Sequence, residues 1–117
     1  MRIFVDDRRQ LDEDEREWYM AANTLEQAET LIQVFRDDLE TVSLDYDLGR
    51  GTGLDILVYM KKHDIAAKEI IIHSTHKTGI KKMKEYAKEN FPHSTLRLCP
   101  RGSIAELIQN DCVDSEE

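Results

Sequence analysis

Four short apolar runs punctuate the chain: Ile3 to Val5, Val42 to Leu44, Glu69 to Ile72 and Leu96 to Cys99. The clearest are continuous rather than alternating, the pattern of strands covered on both faces within a parallel sheet. Glu17 to Ala22, with Trp18, Tyr19 and Met20, is a weaker fifth candidate and would be the second strand. Between these runs the apolar period lengthens to that of a helix. Leu25, Ala28, Leu31, Ile32, Phe35 and Leu39 follow a Thr24/Gln27 capping box. Leu54, Leu57, Val58 and Met60 form a second stripe after Gly53, and Ile80, Met83, Tyr86 and Ala87 a third. Ser103 and Glu106 open a last helix through Ile104, Leu107 and Ile108.

Strands alternating with helices predict βαβ units with right-handed crossovers, hence an α/β fold on a five-stranded parallel sheet. The first connection breaks the rhythm. Only Asp6 to Arg16 separates the first two strands, and six of its residues are acidic. That is too short and too charged for an amphipathic helix, so a loop or single turn is expected and the first helix is shortened or missing.

The 117 residues suit one domain over 1–110, followed by an acidic tail over 111–117 that is expected to fray. The net charge of -8 repels polyanions, which argues against an extended nucleic-acid surface. Lys81, Lys82, Lys84 and Lys88 share the polar face of the third helix and read as solvated, with no function assigned. Cys99 and Cys112 show no metal-ligand spacing and read as two reduced thiols of a cytoplasmic protein. The N-terminus turns acidic after three apolar residues, unlike a secretory signal, and no apolar run approaches the ~20 residues of a membrane span.

In open parallel sheets, ligands bind beyond the carboxyl ends of the strands. Here those ends carry Asp6-Asp7, Asp45-Tyr46-Asp47 and His73-Ser74-Thr75-His76. A single Asp at a strand end reads as a turn former. Acids at two strand ends together point to a site, because a hard cation relieves their repulsion. Mg²⁺ or Mn²⁺ on Asp6, Asp7, Asp45 and Asp47 is the expected cofactor. Three glycines at alternate positions, Gly49, Gly51 and Gly53, allow close backbone approach to a ligand. Ser74 and Thr75 are candidates to hold phosphate oxygens. Arg9 either pairs with a phosphate or balances the acidic loop. His76 is a candidate general acid or base. His73, beside an apolar strand, reads equally as a catalytic residue or as a satisfied buried histidine. His63 and His93 read as surface residues.

Asp6-Asp7, Asp45, Ser74 and Pro100 at successive strand ends resemble response-regulator receiver domains over nearly the whole chain, which implies a flavodoxin-like three-layer sandwich. In that family the paired acids and the phosphoacceptor Asp hold magnesium, and a hydroxyl after strand four senses the phosphoryl group. Receivers place lysine where this chain has Cys99, and Arg101 would replace that cation only partly. The chain is more closely similar to the cyclic-phosphate processing receiver domains. The matching segments are Asp6-Asp7-Arg8-Arg9, Ser43 to Gly49, Thr52-Gly53-Leu54-Asp55, and His73-Ser74 with Gly79 and Met83. Tyr46 and His76 stand where that pattern carries histidine and asparagine.

The resemblance implies a metal-dependent, phosphoesterase-like domain that processes a cyclic phosphate on a nucleotide or RNA end. Asp45 and a histidine, His76 or His73, would be catalytic. The alternative is a signalling module with Asp45 as phosphoacceptor. A haloacid-dehalogenase-like phosphatase, suggested by Asp45-x-Asp47, ordinarily has that motif after its first strand and a longer chain. An inert binding domain that keeps the pocket is a fourth reading.

Overall fold

The computed structural model describes residues 1–99 and the short strand Val113–Asp114. Five parallel strands form the sheet: β1 (Arg2–Val5), β2 (Met20–Ala22), β3 (Thr41–Leu44), β4 (Glu69–Ile72) and β5 (Thr95–Leu98). A sixth, β6 (Val113–Asp114), adds antiparallel to β5 and gives the order β2-β1-β3-β4-β5-β6. The order reverses at β1, where β2 and β3 lie on opposite sides. This is the flavodoxin-like receiver architecture. Among the described residues, three helices connect the strands: α1 (Leu25–Val34), α2 (Gly53–Lys62) and α3 (Lys77–Asn90).

All three helices pack onto one face of the sheet. Successive side chains of a strand point to opposite faces. Ile3 and Val5, Val42 and Leu44, and Ile70 and Ile72 therefore meet Ala28 and Ile32 of α1, Ile56, Leu57 and Met60 of α2, and Met83 and Ala87 of α3 in one cluster. The α2 stripe is rotated from the expected one: Ile56 is buried, while Val58 is exposed.

The other face is mixed. Phe4, Leu11, Tyr19, Ile71 and Cys99 form a second cluster, and Leu11 and Tyr19 come from the short first connection. That connection holds one 3₁₀ turn, Glu15–Glu17, as its length predicted. The turn draws the Trp18 and Tyr19 N–H groups onto the Glu15 carbonyl, so β2 is three residues long rather than six. Polar residues fill the rest of this face. Thr41 donates to Glu69 at 3.0 Å, and Arg97 bonds the other Glu69 oxygen at 3.4 Å. The strands here are apolar towards the helices and partly polar behind them.

Two expectations fail near the end of the chain. The tail was expected to fray, yet Leu98↔Val113 and Arg97↔Asp114 pair in register. Acidic composition does not prevent two residues from completing an edge ladder. Cys99 is disulfide-bonded rather than a reduced thiol, and Cys112, the chain's other cysteine, lies outside the described residues. Cysteine spacing carries no sign of a strand that returns beside β5. The thiol argument for a reducing compartment falls with it. The helix expected from Ser103 also lies outside the described residues. Among the described residues, no helix is long and apolar enough to cross a membrane.

Candidate functional site

The rung Val5–Leu44–Ile72 is the last fully paired row of the central strands. The ladder continues one residue further, with Asp45 N–H bonding the Val5 carbonyl and His73 N–H the Leu44 carbonyl. Asp6, Asp45 and His73 therefore leave the sheet on neighbouring strands at one level. All three side chains lie on the face away from the helices.

Asp6 is buried and held from several sides. Its Oδ1 accepts the N–H groups of Arg8 at 2.9 Å and Arg9 at 3.0 Å, and its Oδ2 lies 3.2 Å from His73 Nε2. Asn23, just past β2, donates to the Asp6 carbonyl. Burial alone would raise the Asp6 pKa, but the bond from His73 and the two backbone donors outweigh it and hold the carboxyl below its ordinary value.

His73 is itself fully enclosed. Its Nδ1 lies 2.6 Å from the buried Ser43 hydroxyl, and its ring stacks on Phe4 at 4.3 Å between centroids. Nε2–H donates to the Asp6 carboxylate, and Nδ1 shares a hydrogen bond with the Ser43 hydroxyl. Both ring nitrogens are used, which answers the even choice left by the sequence. This is a satisfied buried histidine that positions Asp6, and Ser43 is too deep to attack a substrate.

Asp45 behaves in the opposite way. Burial and the charge of Asp6 raise its pKa, and His73, the Tyr46 N–H and the Ser74 hydroxyl only partly offset them. One carboxyl is thus kept charged while its neighbour is uncomfortable charged. The third acid, Asp7, follows Asp6 directly. One ligand oxygen from each of Asp6, Asp7 and Asp45 lies within 4.8 Å of the others. Asp7 Oδ1 is enclosed and has no hydrogen-bond partner among the described residues.

The loop after β3 shapes this pocket. The Gly53 N–H bonds the Tyr46 carbonyl at 2.8 Å, and Asp47 bridges to Thr52. Gly49, at φ +78°, lies beside Asp7, where a Cβ would come within 3.6 Å of Oδ2. Thr52 and Asp55 form a reciprocal capping box that starts α2. Asp47 is not part of the acidic group: it is exposed, and its carboxylate accepts the Gly49 N–H. Asp47 was expected to be a ligand, but its side chain caps its own turn, as an Asx residue does.

Beyond β4, the Ser74 hydroxyl accepts the His76 N–H at 3.1 Å while it bonds Asp45. His76 is exposed and is the N-cap of α3, with its Nδ1 accepting the Gly79 N–H at 2.9 Å. That fixes a proton on Nε2 in the neutral ring. Tyr46 lies against it, with ring centroids 4.7 Å apart. The Tyr46 ring also covers Gly79 so closely that a Cβ there would come within 2.2 Å. Thr75 and Arg9 are exposed at the rim of the same strand ends.

The sequence reading missed Ser43, Phe4 and Asn23. A signal existed for Ser43, which precedes Asp45 by two residues and so shares its sheet face. Nothing local marked Asn23, whose partner is 17 residues away.

A parallel sheet with carboxylates gathered where the strand order reverses defines a receiver-type domain. The chain belongs to the cyclic-phosphate processing receiver domain family, whose model matches residues 1–89. No curated protein matches the chain.

Proposed function

We propose that this domain processes cyclic phosphate esters on a nucleotide or RNA end, as a phosphoesterase dependent on Mg²⁺ or Mn²⁺. The observation that carries this reading is the convergence of Asp6, Asp7 and Asp45, with Asp7 Oδ1 enclosed and without a hydrogen-bond partner among the described residues. Three hard oxygens from carboxylates are the donor set such ions take. A cation held by these residues would polarise a phosphoryl oxygen and lower the pKa of a water.

The chain's own groups do the rest. His73 keeps Asp6 ionised and correctly turned. Ser74 holds Asp45 and, through its bond to the His76 N–H, the start of α3. His76 presents Nε2–H as a donor for a phosphate oxygen or a leaving group, and Thr75 and Arg9 line the rim for non-bridging oxygens. The signalling alternative loses a supporting part, since the β5 end offers Cys99, buried and disulfide-bonded, where receivers place a cation.

Purified protein incubated with Mg²⁺ and a panel of nucleoside 2′,3′- and 3′,5′-cyclic phosphates is expected to yield the ring-opened monoester, resolved by chromatography. Asp45→Asn is expected to form none. Equal product from wild type and Asp45→Asn, or none from wild type on any substrate, contradicts the proposal. Stoichiometric, long-lived phosphorylation of Asp45 by a small phosphodonor would favour signalling instead.

A further inference from the structure

The sequence reads Lys81, Lys82, Lys84 and Lys88 of α3 as a solvated face in a chain whose net charge is -8. That average conceals how the charge is placed. α3 begins at Lys77, immediately after the His76 cap and three residues from Ser74, so its first turn stands at the rim of the carboxylate site. Gly79, Met83 and Ala87 are its buried residues and fix how it lies on the sheet. At about 100° per residue, Lys77, Lys81 and Lys84 fall within ~60° of one another on a different side of the helix. Lys77 and Lys81 are exposed and Lys84 is partly so. None of the three is in an ion pair among the described residues. Lys88 continues the line, but its ammonium is enclosed, so it is left out. The first turn of α3 carries no acid.

We infer that Lys77, Lys81 and Lys84 form a track for the backbone phosphates of a single-stranded nucleic acid whose cyclic-phosphate end lies in the carboxylate site. This rests on the proposed function and narrows its substrate class from mononucleotide to oligonucleotide. A mononucleotide would need a cation only at the rim. These charges instead run from the site for ~10.5 Å along the helix, the rise of about three phosphates in a stacked strand. The acidic remainder of the surface repels a strand elsewhere, so α3 is the route on which it meets least repulsion.

The test compares binding of uridine 2′,3′-cyclic phosphate with that of a hexauridylate carrying the same terminal group, both with Mg²⁺. The hexamer is expected to bind wild type at least about tenfold more tightly at low salt. Its log K should fall with log[salt] at a slope near -2, since about 0.7 ion is released per contact on a single strand. Lys77→Gln/Lys81→Gln/Lys84→Gln should lose the length advantage and most of the slope while still binding the mononucleotide. Equal affinity for both lengths in wild type, or a length advantage kept in the triple variant, overturns the track. So does a poly-glutamate peptide of matching charge that binds as tightly as the hexamer. If neither ligand is ring-opened yet the lysine-dependent length effect persists, the catalytic reading fails and the track stands. If the mononucleotide is opened but length has no effect, the track fails alone.

Discussion

His73→Ala is expected to lower the stability of the fold by about 3 kcal/mol or more, the scale of removing the hydrogen-bond partner of a buried charged group. Asp6 would remain buried with only the Arg8 and Arg9 N–H groups on it, and Ser43 would lose its 2.6 Å partner. The cavity under Phe4 adds to the loss. A domain of this kind has only about 5–15 kcal/mol in total, so chemical denaturation will register the change easily. His73→Phe separates the causes, because it restores ring volume and stacking but neither hydrogen bond.

The same variant has a pH signature. The Asp6 pKa is held below its unfolded value, so its contribution to stability is present above that value and fades as pH falls through the folded one. Removing the His73 bond raises the folded pKa, and the acid limb of the stability profile should move to higher pH. Stability and acid limb both unchanged in His73→Phe would mean that the Ser43–His73–Asp6 chain is packing alone.

The second large effect is expected at Gly53. Replacing a helix glycine by alanine ordinarily gains about 1 kcal/mol. Here the added Cβ would stand 2.3 Å from the Asp45 carbonyl oxygen and 2.7 Å from the Met83 sulfur. Met83 can move, but the carbonyl is backbone and carries the Asp45 side chain with it. Gly53→Ala is therefore expected to destabilise by about 1–3 kcal/mol or more, against the propensity trend. Gly49→Ala makes a useful comparison: its Cβ has room, so only the positive φ costs, about 1 kcal/mol. Urea unfolding of both variants checks the order, and a neutral Gly53→Ala would mean that the β3–α2 loop relaxes freely.

Much of this architecture was legible because strong local rules agreed. The runs at Ile3, Val42, Glu69 and Leu96 each became a strand, and the short acidic connection became a single turn. Asp6, Asp7 and Asp45 could be grouped because strand ends in a parallel sheet share an edge. What escaped depended on contacts distant in sequence. β6 is two residues in an acidic tail, visible only through its pairing with Arg97 and Leu98. The burial of His73 between Ser43 and Asp6 needs three strands in register. His76 was legible as a polar residue past β4 but not as a helix cap, because histidine is not a common cap type. Asp47 was misplaced because a carboxylate that closes its own turn and one that faces a neighbour look alike in sequence.

The central claim is that Asp6, Asp7 and Asp45 form a divalent-cation site, and thermal unfolding with and without Mg²⁺ tests it most directly. Bound ligand stabilises the fold by mass action, about 2.7 kcal/mol at a hundredfold excess over Kd. Asp45, raised by burial and by Asp6, costs stability above its folded pKa when no cation offsets its charge. Mg²⁺ is expected to raise the melting temperature of wild type in a saturable way. Asp7→Asn/Asp45→Asn is expected to melt higher than wild type without metal and not to respond to Mg²⁺. A double variant that responds to Mg²⁺ as wild type does would contradict the claim and place the cation elsewhere.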